Sequence, residues 1–101
     1  MKVRETSPAL RDLTNILEGL NQRSLQGARS VAAAYDAARA HIGHLPYAAM
    51  KIADRDIWRL PLVRYPYTIF YRIVADQDEV QILRVVHSAR VKDLKRMPKG
   101  K

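Results

Sequence analysis

The first half of the chain repeats its apolar residues at helical spacing. Ser7 and Pro8 are typical of a helix cap followed by a first-turn proline, and the apolar residues that follow recur every three to four positions. After a short polar break at residues 21–24, a second stripe of the same period covers residues 25–42. Two helices with so short a connection form a hairpin. Gly43 is expected to end the second helix.

After Pro46 the spacing of the apolar residues changes to a period of two, which is typical of β-strands. Segments rich in β-branched and aromatic side chains cover residues 57–63, 67–74 and 80–87. The polar turn at residues 76–78 joins the last two segments in a hairpin, and residues 2–5 can add a short strand. The pattern predicts an α+β domain of the order β-α-α-β-β-β, with an N-terminal helical hairpin packed on one side of an antiparallel sheet.

Alternation along the predicted hairpin assigns its side chains to two faces. With Val74 opposite Val80, one face carries Tyr67, Ile69, Tyr71, Ile73, Leu83 and Val85. The other face carries Phe70, Arg72, Val74, Val80, Ile82 and Arg84. We expect the first face to form the core under the helices. Arg72 and Arg84 are then expected on the uncovered face, either in contact with a partner or as a solvated pair.

Aromatic residues and arginines interleave near this hairpin, a combination also found in platforms that bind single-stranded nucleic acid. The residues are Arg64, Tyr65, Tyr67, Phe70, Tyr71 and Arg72. Because alternation sends Tyr67 and Tyr71 to the aliphatic face, core packing is the better interpretation.

Length and charge add a domain boundary and a class of partner. The chain has 101 residues, 48% of them hydrophobic, which suits one small core. We predict a single domain over residues 1–90 and a basic tail over residues 91–101. The net charge is +8, and residues 90–101 carry +5 of it. Such a balance indicates an acidic partner: a protein segment, nucleic acid or an anionic surface.

Several chemistries have no support in the residues present. There is no cysteine, so disulfide frameworks and thiolate metal or redox sites are excluded. Neither a phosphate-binding glycine loop nor a Gly-x-Ser-x-Gly motif occurs. No apolar run has the length of a membrane span, and the N-terminal residues lack the apolar stretch of a signal peptide. We expect a soluble cytoplasmic protein without membrane contact and without a cofactor.

The histidines are the remaining candidates for chemistry. His41 and His44 could lie on one helical face, but contacts with the helix end explain them better than a metal site does, and no metal site is predicted. His87, three residues before Arg90, could act as a general acid or base beside a phosphate-binding cation. The alternative is a histidine at a strand end that only hydrogen-bonds to the backbone.

The segment from Arg59 to Arg90 closely resembles the ParE/RelE superfamily of bacterial toxin-antitoxin modules. It contains the strand motif Arg-Leu-Pro … Tyr-Pro-Tyr-x-Ile-x-Tyr-Arg and then the strand motif Ile-Leu-x-Val-x-His-x-x-Arg of the ParE-like branch. Upstream, Ser-Pro-Ala-Leu-Arg-Asp-Leu at residues 7–13 and Leu-Pro at residues 45–46 lie where the family has its helices and first turn. The resemblance covers nearly the whole chain and implies the same β-α-α-β-β-β fold.

The two branches of this superfamily differ in function. RelE-type members cleave mRNA in the ribosome with basic groups and an acid near the C-terminus, whereas ParE-like members bind DNA gyrase and trap it on DNA. Aligned on the strands, the two lysines and the arginine of the nucleases fall at Arg59, Pro61 and Thr68, so two of the three basic positions are lost. No tyrosine follows Tyr71, so the C-terminal tyrosine of that branch has no counterpart. Some relatives use Glu, Arg and His instead, for which His87 is the match here.

The resemblance therefore implies a plasmid-stabilisation toxin of the ParE type, which inhibits DNA gyrase by binding and is not an enzyme. A cognate antitoxin with a DNA-binding N-terminal half and an acidic or amphipathic C-terminal half would neutralise it in a hetero-oligomer. The first alternative is a ribosome-dependent mRNA endonuclease of RelE type, with His87 and Arg90 as its catalytic residues. The second is a non-toxic basic nucleic-acid-binding domain. The predicted partner contacts are Trp58, Arg64, Arg72, Arg84, His87, Arg90, Lys92, Lys95 and Arg96.

Overall fold

The computed structural model describes residues 1–52 and 54–91. Within them, the elements are β1 (Lys2–Glu5), α1 (Ser7–Arg23), α2 (Leu25–His44), β2 (Met50–Lys51), β3 (Trp58–Pro61), β4 (Tyr67–Val74) and β5 (Glu79–His87). A 3-10 turn, Ala75–Gln77, joins the last two strands. The strand order in the sheet is β1-β5-β4-β3-β2. These elements confirm the predicted α+β fold with its helical hairpin.

The sheet is mixed, whereas the sequence pattern predicted an antiparallel one. β1 runs parallel to β5, from Lys2 opposite Glu79 to Glu5 opposite Ile82. The other neighbouring strands pair antiparallel. Parallel neighbours need a long connection, and the helical hairpin together with the middle strands supplies it. β2 has two residues, too few to give an alternating signal, so the sequence analysis missed it.

The helices begin at different residues from those predicted. Thr6, not Ser7, is the cap residue of α1, and its hydroxyl donates to the Ile82 carbonyl at 2.8 Å instead of capping the helix. The predicted four-residue break between the helices is the single residue Ser24, whose hydroxyl accepts the Gly27 N–H at 3.0 Å. Thr6 therefore fastens the start of α1 to the sheet, while Ser24 caps α2.

Gly43 lies inside α2, which continues to His44, so the prediction that it ends the helix is wrong. A Cβ atom at this position would lie 3.3 Å from the Met1 carbonyl oxygen and 3.3 Å from Val3 Cγ2. Those distances are shorter than ordinary van der Waals contact. The glycine thus allows the end of α2 to pack closely against β1.

A polar network ties α2 to β1. The Glu5 carboxylate accepts hydrogen bonds from the Tyr35 hydroxyl at 2.7 Å and from Arg39 Nε at 2.6 Å, and Arg39 Nη2 also donates to the Val3 carbonyl at 2.6 Å. Burial alone would raise the pKa of Glu5, but the hydrogen bonds from Arg39 and Tyr35 outweigh it and lower that pKa. Burial raises the pKa of Tyr35, and the adjacent Glu5 carboxylate adds to the effect.

The main core lies between the helices and the sheet. Its buried strand residues are Ile69, Tyr71, Ile73, Val80, Ile82 and Val85, and its buried helix residues are Ala9, Val31, Tyr35 and Ile42. Tyr71 is fully buried, its hydroxyl donates to the Pro46 carbonyl at 2.7 Å, and burial raises its pKa to about 12. Tyr67 packs against the same core. The prediction that these two tyrosines pack with the aliphatic residues is confirmed.

The predicted side-chain faces of β5 are wrong at three positions, because the hairpin register differs. Val74 pairs with Glu79 rather than Val80, and a shift of one residue exchanges the two faces of a strand. Val80 and Ile82 therefore face the main core. A bulge then inserts Leu83, which joins the opposite face, and the prediction for Val85 holds again.

A second, smaller cluster covers part of the face away from the helices. Ile57, Phe70 and Leu83 are buried there, with Ile52 and Val91 among the side chains packed against them. The connection between β2 and β3 and the 3-10 turn at residues 88–91 bring these outer side chains onto the sheet. Apolar side chains therefore cover part of the face that the sequence predicted to be uncovered.

Candidate docking surface and an arginine cleft

An aromatic pair with a cation beside it lies between the end of α2 and strands β2 and β3. The Tyr47 and Trp58 rings meet edge to face with centroids 5.6 Å apart, and the Lys51 ammonium lies 5.9 Å from the Trp58 ring centroid. Trp58 is half-buried against the main core, which fixes its ring. Tyr47 is 58% exposed and the adjacent Leu45 is 55% exposed. We call these four residues the aromatic end. Its composition is typical of a protein-binding surface.

Arg84, a predicted partner contact, is bound within the chain. Its register position is opposite Phe70, and its guanidinium donates to both oxygens of Asp12, on α1, at 2.6 and 3.0 Å. Asp12 also accepts the Val85 N–H at 2.9 Å. The hydrogen bonds to Asp12 raise the pKa of Arg84. Because β1 ends before this part of β5, Asp12 satisfies an edge N–H that no strand reaches.

Arg64 and Arg72 lie apart from each other. Arg64 is exposed in the connection between β3 and β4, with a positive φ of 73°. Arg72 is half-buried on β4, opposite Gln81. Within the described part of the chain, neither side chain forms an ion pair.

His87 and Arg90 lie at and after the end of β5, and both are exposed. His87 Nδ1 accepts the Ala89 N–H at 3.2 Å, and its ring meets the Tyr67 ring edge to face at 5.7 Å. The backbone hydrogen bond is the arrangement that the sequence analysis gave as the alternative to a catalytic role. Three more predicted contacts, Lys92, Lys95 and Arg96, lie outside the described residues, as does nearly all of the predicted basic tail.

A cleft of about 420 Å³ opens on the sheet face away from the helices. Its described lining residues are Ala49, Met50, Arg59, Leu60, Pro61, Thr68, Ser88 and Val91, and we call it the arginine cleft. Arg59 and Pro61 point to one side of β3, and Thr68 lies opposite Pro61 on β4. The three positions that align with the basic residues of the RelE nucleases therefore meet in one cleft. Their approach to one another and to Ser88 has no local signal in the sequence, because it depends on the pairing of β3 with β4 and on the turn after β5.

The polar groups of this cleft are hydrogen-bond donors. Arg59 Nη2 donates to Met50 Sδ at 3.0 Å, and the buried Thr68 hydroxyl lies 2.9 Å from the Ser88 hydroxyl. The lining residues given above include no carboxylate, histidine or tyrosine. His87 is not among them, and its ring contacts Tyr67, which packs on the other side of the sheet. The described lining can bind an anion, and none of its side chains transfers a proton near neutral pH.

The described residues contain neither a cluster of metal ligands nor a helix that could span a membrane. No group of three or more potential metal ligands lies together in residues 1–52 and 54–91, and His41 and His44 are both exposed near the end of α2. In the same residues, no helix combines the length and the apolar character that a membrane crossing requires.

Comparisons with known proteins agree with this geometry. The sequence model of the family described as ParE toxin of type II toxin-antitoxin system, parDE, matches residues 3–98. A chain of the toxin-antitoxin complex RelBE2 from Mycobacterium tuberculosis is similar at 26% identity and a TM-score of 0.60, with 85% of this chain and 88% of that chain covered. A chain of the chromosomal ParDE system from P. aeruginosa has 22% identity, a TM-score of 0.60, and coverage of 86% and 95%, and shows the fold alone. No curated protein matches significantly.

Proposed function

The chain belongs to the ParE toxin family of type II toxin-antitoxin systems, and from this premise we propose that it inhibits DNA gyrase in the cytoplasm by binding to it. The toxin has no reaction of its own in this proposal. A cognate antitoxin binds it and neutralises it, by analogy with the toxin-antitoxin complexes whose fold it shares.

The observation that carries the proposal is the chemistry of the arginine cleft. Cleavage of RNA through the ribose 2′-hydroxyl needs a base, an acid and cations at the phosphate. The described cleft residues offer the cation Arg59 and the hydroxyls of Thr68 and Ser88. Because the described lining places no acid or base beside Arg59, binding is the better supported mode of action.

The aromatic end is the surface that we propose for the target. Tryptophan and tyrosine are enriched among the side chains that contribute most of the binding energy at protein interfaces. Tyr47 and Lys51 are exposed and lie against the half-buried Trp58 ring, which packs on the main core. A ring that is already packed loses little further side-chain entropy on binding.

The test is expression of the chain without its antitoxin, followed by two assays on the purified protein. We expect stabilised gyrase–DNA cleavage complexes and intact transcripts in a translating extract. Tyr47→Ala should weaken gyrase inhibition by about tenfold, as loss of an interface aromatic does. The matched control is Leu10→Ala, which removes another exposed apolar side chain, 53% exposed on α1, and should change little.

The same assays test the second candidate, an mRNA endonuclease of RelE type. Arg59 favours it, since this cation keeps one of the three basic nuclease positions inside a cleft. Cut transcripts that become intact with His87→Gln, in a variant that still folds, would overturn the gyrase proposal. Neither effect, together with salt-sensitive binding to DNA or RNA, would instead indicate a basic nucleic-acid-binding domain.

A further inference from the structure

The donors of Arg59 have only a weak acceptor. Its one hydrogen bond among the described residues goes to the Met50 thioether sulfur, at 3.0 Å, and sulfur of this kind accepts poorly. By contrast, Arg4, Arg39 and Arg84 each form an ion pair with a carboxylate. A half-buried guanidinium without an anionic partner has lost part of its hydration and gained little in exchange.

The hydroxyl pair that lines the same cleft also has a donor without an acceptor among the described residues. Thr68 is 3% exposed, and its hydroxyl and that of Ser88 form one hydrogen bond with each other, at 2.9 Å. One of the two hydrogens makes that bond, so the other remains to be donated. A guanidinium and a hydroxyl donor that line the same cleft are the groups that bind a carboxylate or a phosphate.

The remaining walls favour a protein carboxylate over a nucleic-acid backbone. Met50, Leu60, Pro61 and Val91 line the cleft with apolar surface around the single cation. Phosphodiester backbones are bound by series of cations along the strand, and the described lining provides one. An acidic side chain flanked by apolar residues fits both the charge and the walls.

We propose that the arginine cleft receives an aspartate or glutamate side chain from an amphipathic segment of the cognate antitoxin, with its carboxylate on Arg59 and on the free hydroxyl of the Thr68–Ser88 pair. The inference rests on the proposed toxin-antitoxin function. The net charge of +8 attracts an acidic segment to the toxin as a whole. The cleft then binds one particular carboxylate of that segment. The acidic segment supplies the anion that the described lining of the cleft lacks.

The test measures the affinity of the full chain for the antitoxin encoded by the adjoining reading frame. Arg59→Gln should weaken binding about 10- to 100-fold, since a hydrogen-bonded charge pair is lost, and mainly through faster dissociation. Ser88→Ala should weaken it about three- to tenfold. Arg11→Gln, which removes the same charge from an exposed site on α1, is the matched control and should change it less than threefold. Thermal unfolding of each variant verifies that it is folded.

Equal losses for Arg59→Gln and Arg11→Gln would overturn the inference, because the contribution would then be general charge. A folded Arg59→Gln variant with unchanged antitoxin affinity and reduced binding of a single-stranded RNA oligonucleotide would also overturn it and assign the cleft to RNA. The gyrase assay is read separately. Absence of cleavage complexes with the wild-type chain rejects the gyrase target, whereas the ratio of antitoxin affinities alone decides the role of the cleft.

Discussion

Arg84 and Arg59 lie two strands apart in one sheet and have different surroundings. Arg84, on β5, donates two hydrogen bonds to Asp12, and its side chain is 30% exposed. Arg59, on β3, lies in an open cleft and donates to a thioether. Helix α1 passes the end of β1 and supplies the carboxylate for Arg84, while no acidic residue reaches the described lining of the Arg59 cleft.

The contrast between the two arginines separates a contribution to the fold from a capacity for binding. An arginine whose donors are satisfied inside the chain stabilises the fold and has little to offer a partner. An arginine whose donors lack an anion adds little to stability and keeps its binding capacity. Net charge therefore does not identify a binding site, whereas the partners of each cation do.

The largest effect is expected from Asp12→Ala. This change removes the partner of Arg84 and the acceptor of the Val85 N–H, and it should lower the free energy of unfolding by about 2 kcal/mol. Chemical denaturation gives the value. Asp12→Asn, which can still accept the Val85 N–H, should lose about half as much. A loss below about 0.5 kcal/mol for the alanine variant would make Arg84 as available as Arg59.

The next effect separates the two arginines directly. Arg84→Ala should lower the free energy of unfolding by about 1 kcal/mol, whereas Arg59→Ala should change it by less than about 0.5 kcal/mol. Both variants lose one positive charge, so each serves as the control for the other. Equal destabilisation in urea would show that Arg59 has a structural role, and the comparison would fail.

The smallest effect concerns acid stability and the Glu5–Arg39 pair, another arginine held within the chain. The pKa of Glu5 is lowered from its usual 4.5, since the hydrogen bonds from Arg39 and Tyr35 outweigh burial. A lowered pKa adds stability that is fully present above pH 4.5 and is lost as the pH falls through the folded-state pKa. With Arg39 partly exposed and screened by solvent, we expect at most about 1 kcal/mol.

Glu5→Gln provides the control for that measurement. The difference in unfolding free energy between wild type and variant should be largest near neutral pH and should shrink below pH 4.5. A difference that stays constant down to strongly acidic pH would mean that Glu5 acts through packing alone.

Periodicity was sufficient to locate the helices and the long strands, because apolar residues recur at the spacing of each type of element. The family motifs in the sequence led to the same fold. The predictions that were wrong concern contacts between elements. Leu83 changes face at a bulge, and Gly43 is required by the approach of α2 to β1. Neither has a local signal, since a bulge and a close approach are properties of the paired elements.

The sequence alone established the fold class, the order of the helices and the longer strands, and the excess of positive charge, because these follow from spacing and composition along the chain; its motifs indicated the family. The tertiary structure established which cations pair with a carboxylate among the described residues. Asp12 is 72 residues from Arg84 in sequence, yet it lies within hydrogen-bonding distance. Met50, Thr68 and Ser88 meet Arg59 only through the pairing of strands and the turn after β5. The packing of helices and strands sets the distances between these side chains, and the order of residues along the chain does not show that packing.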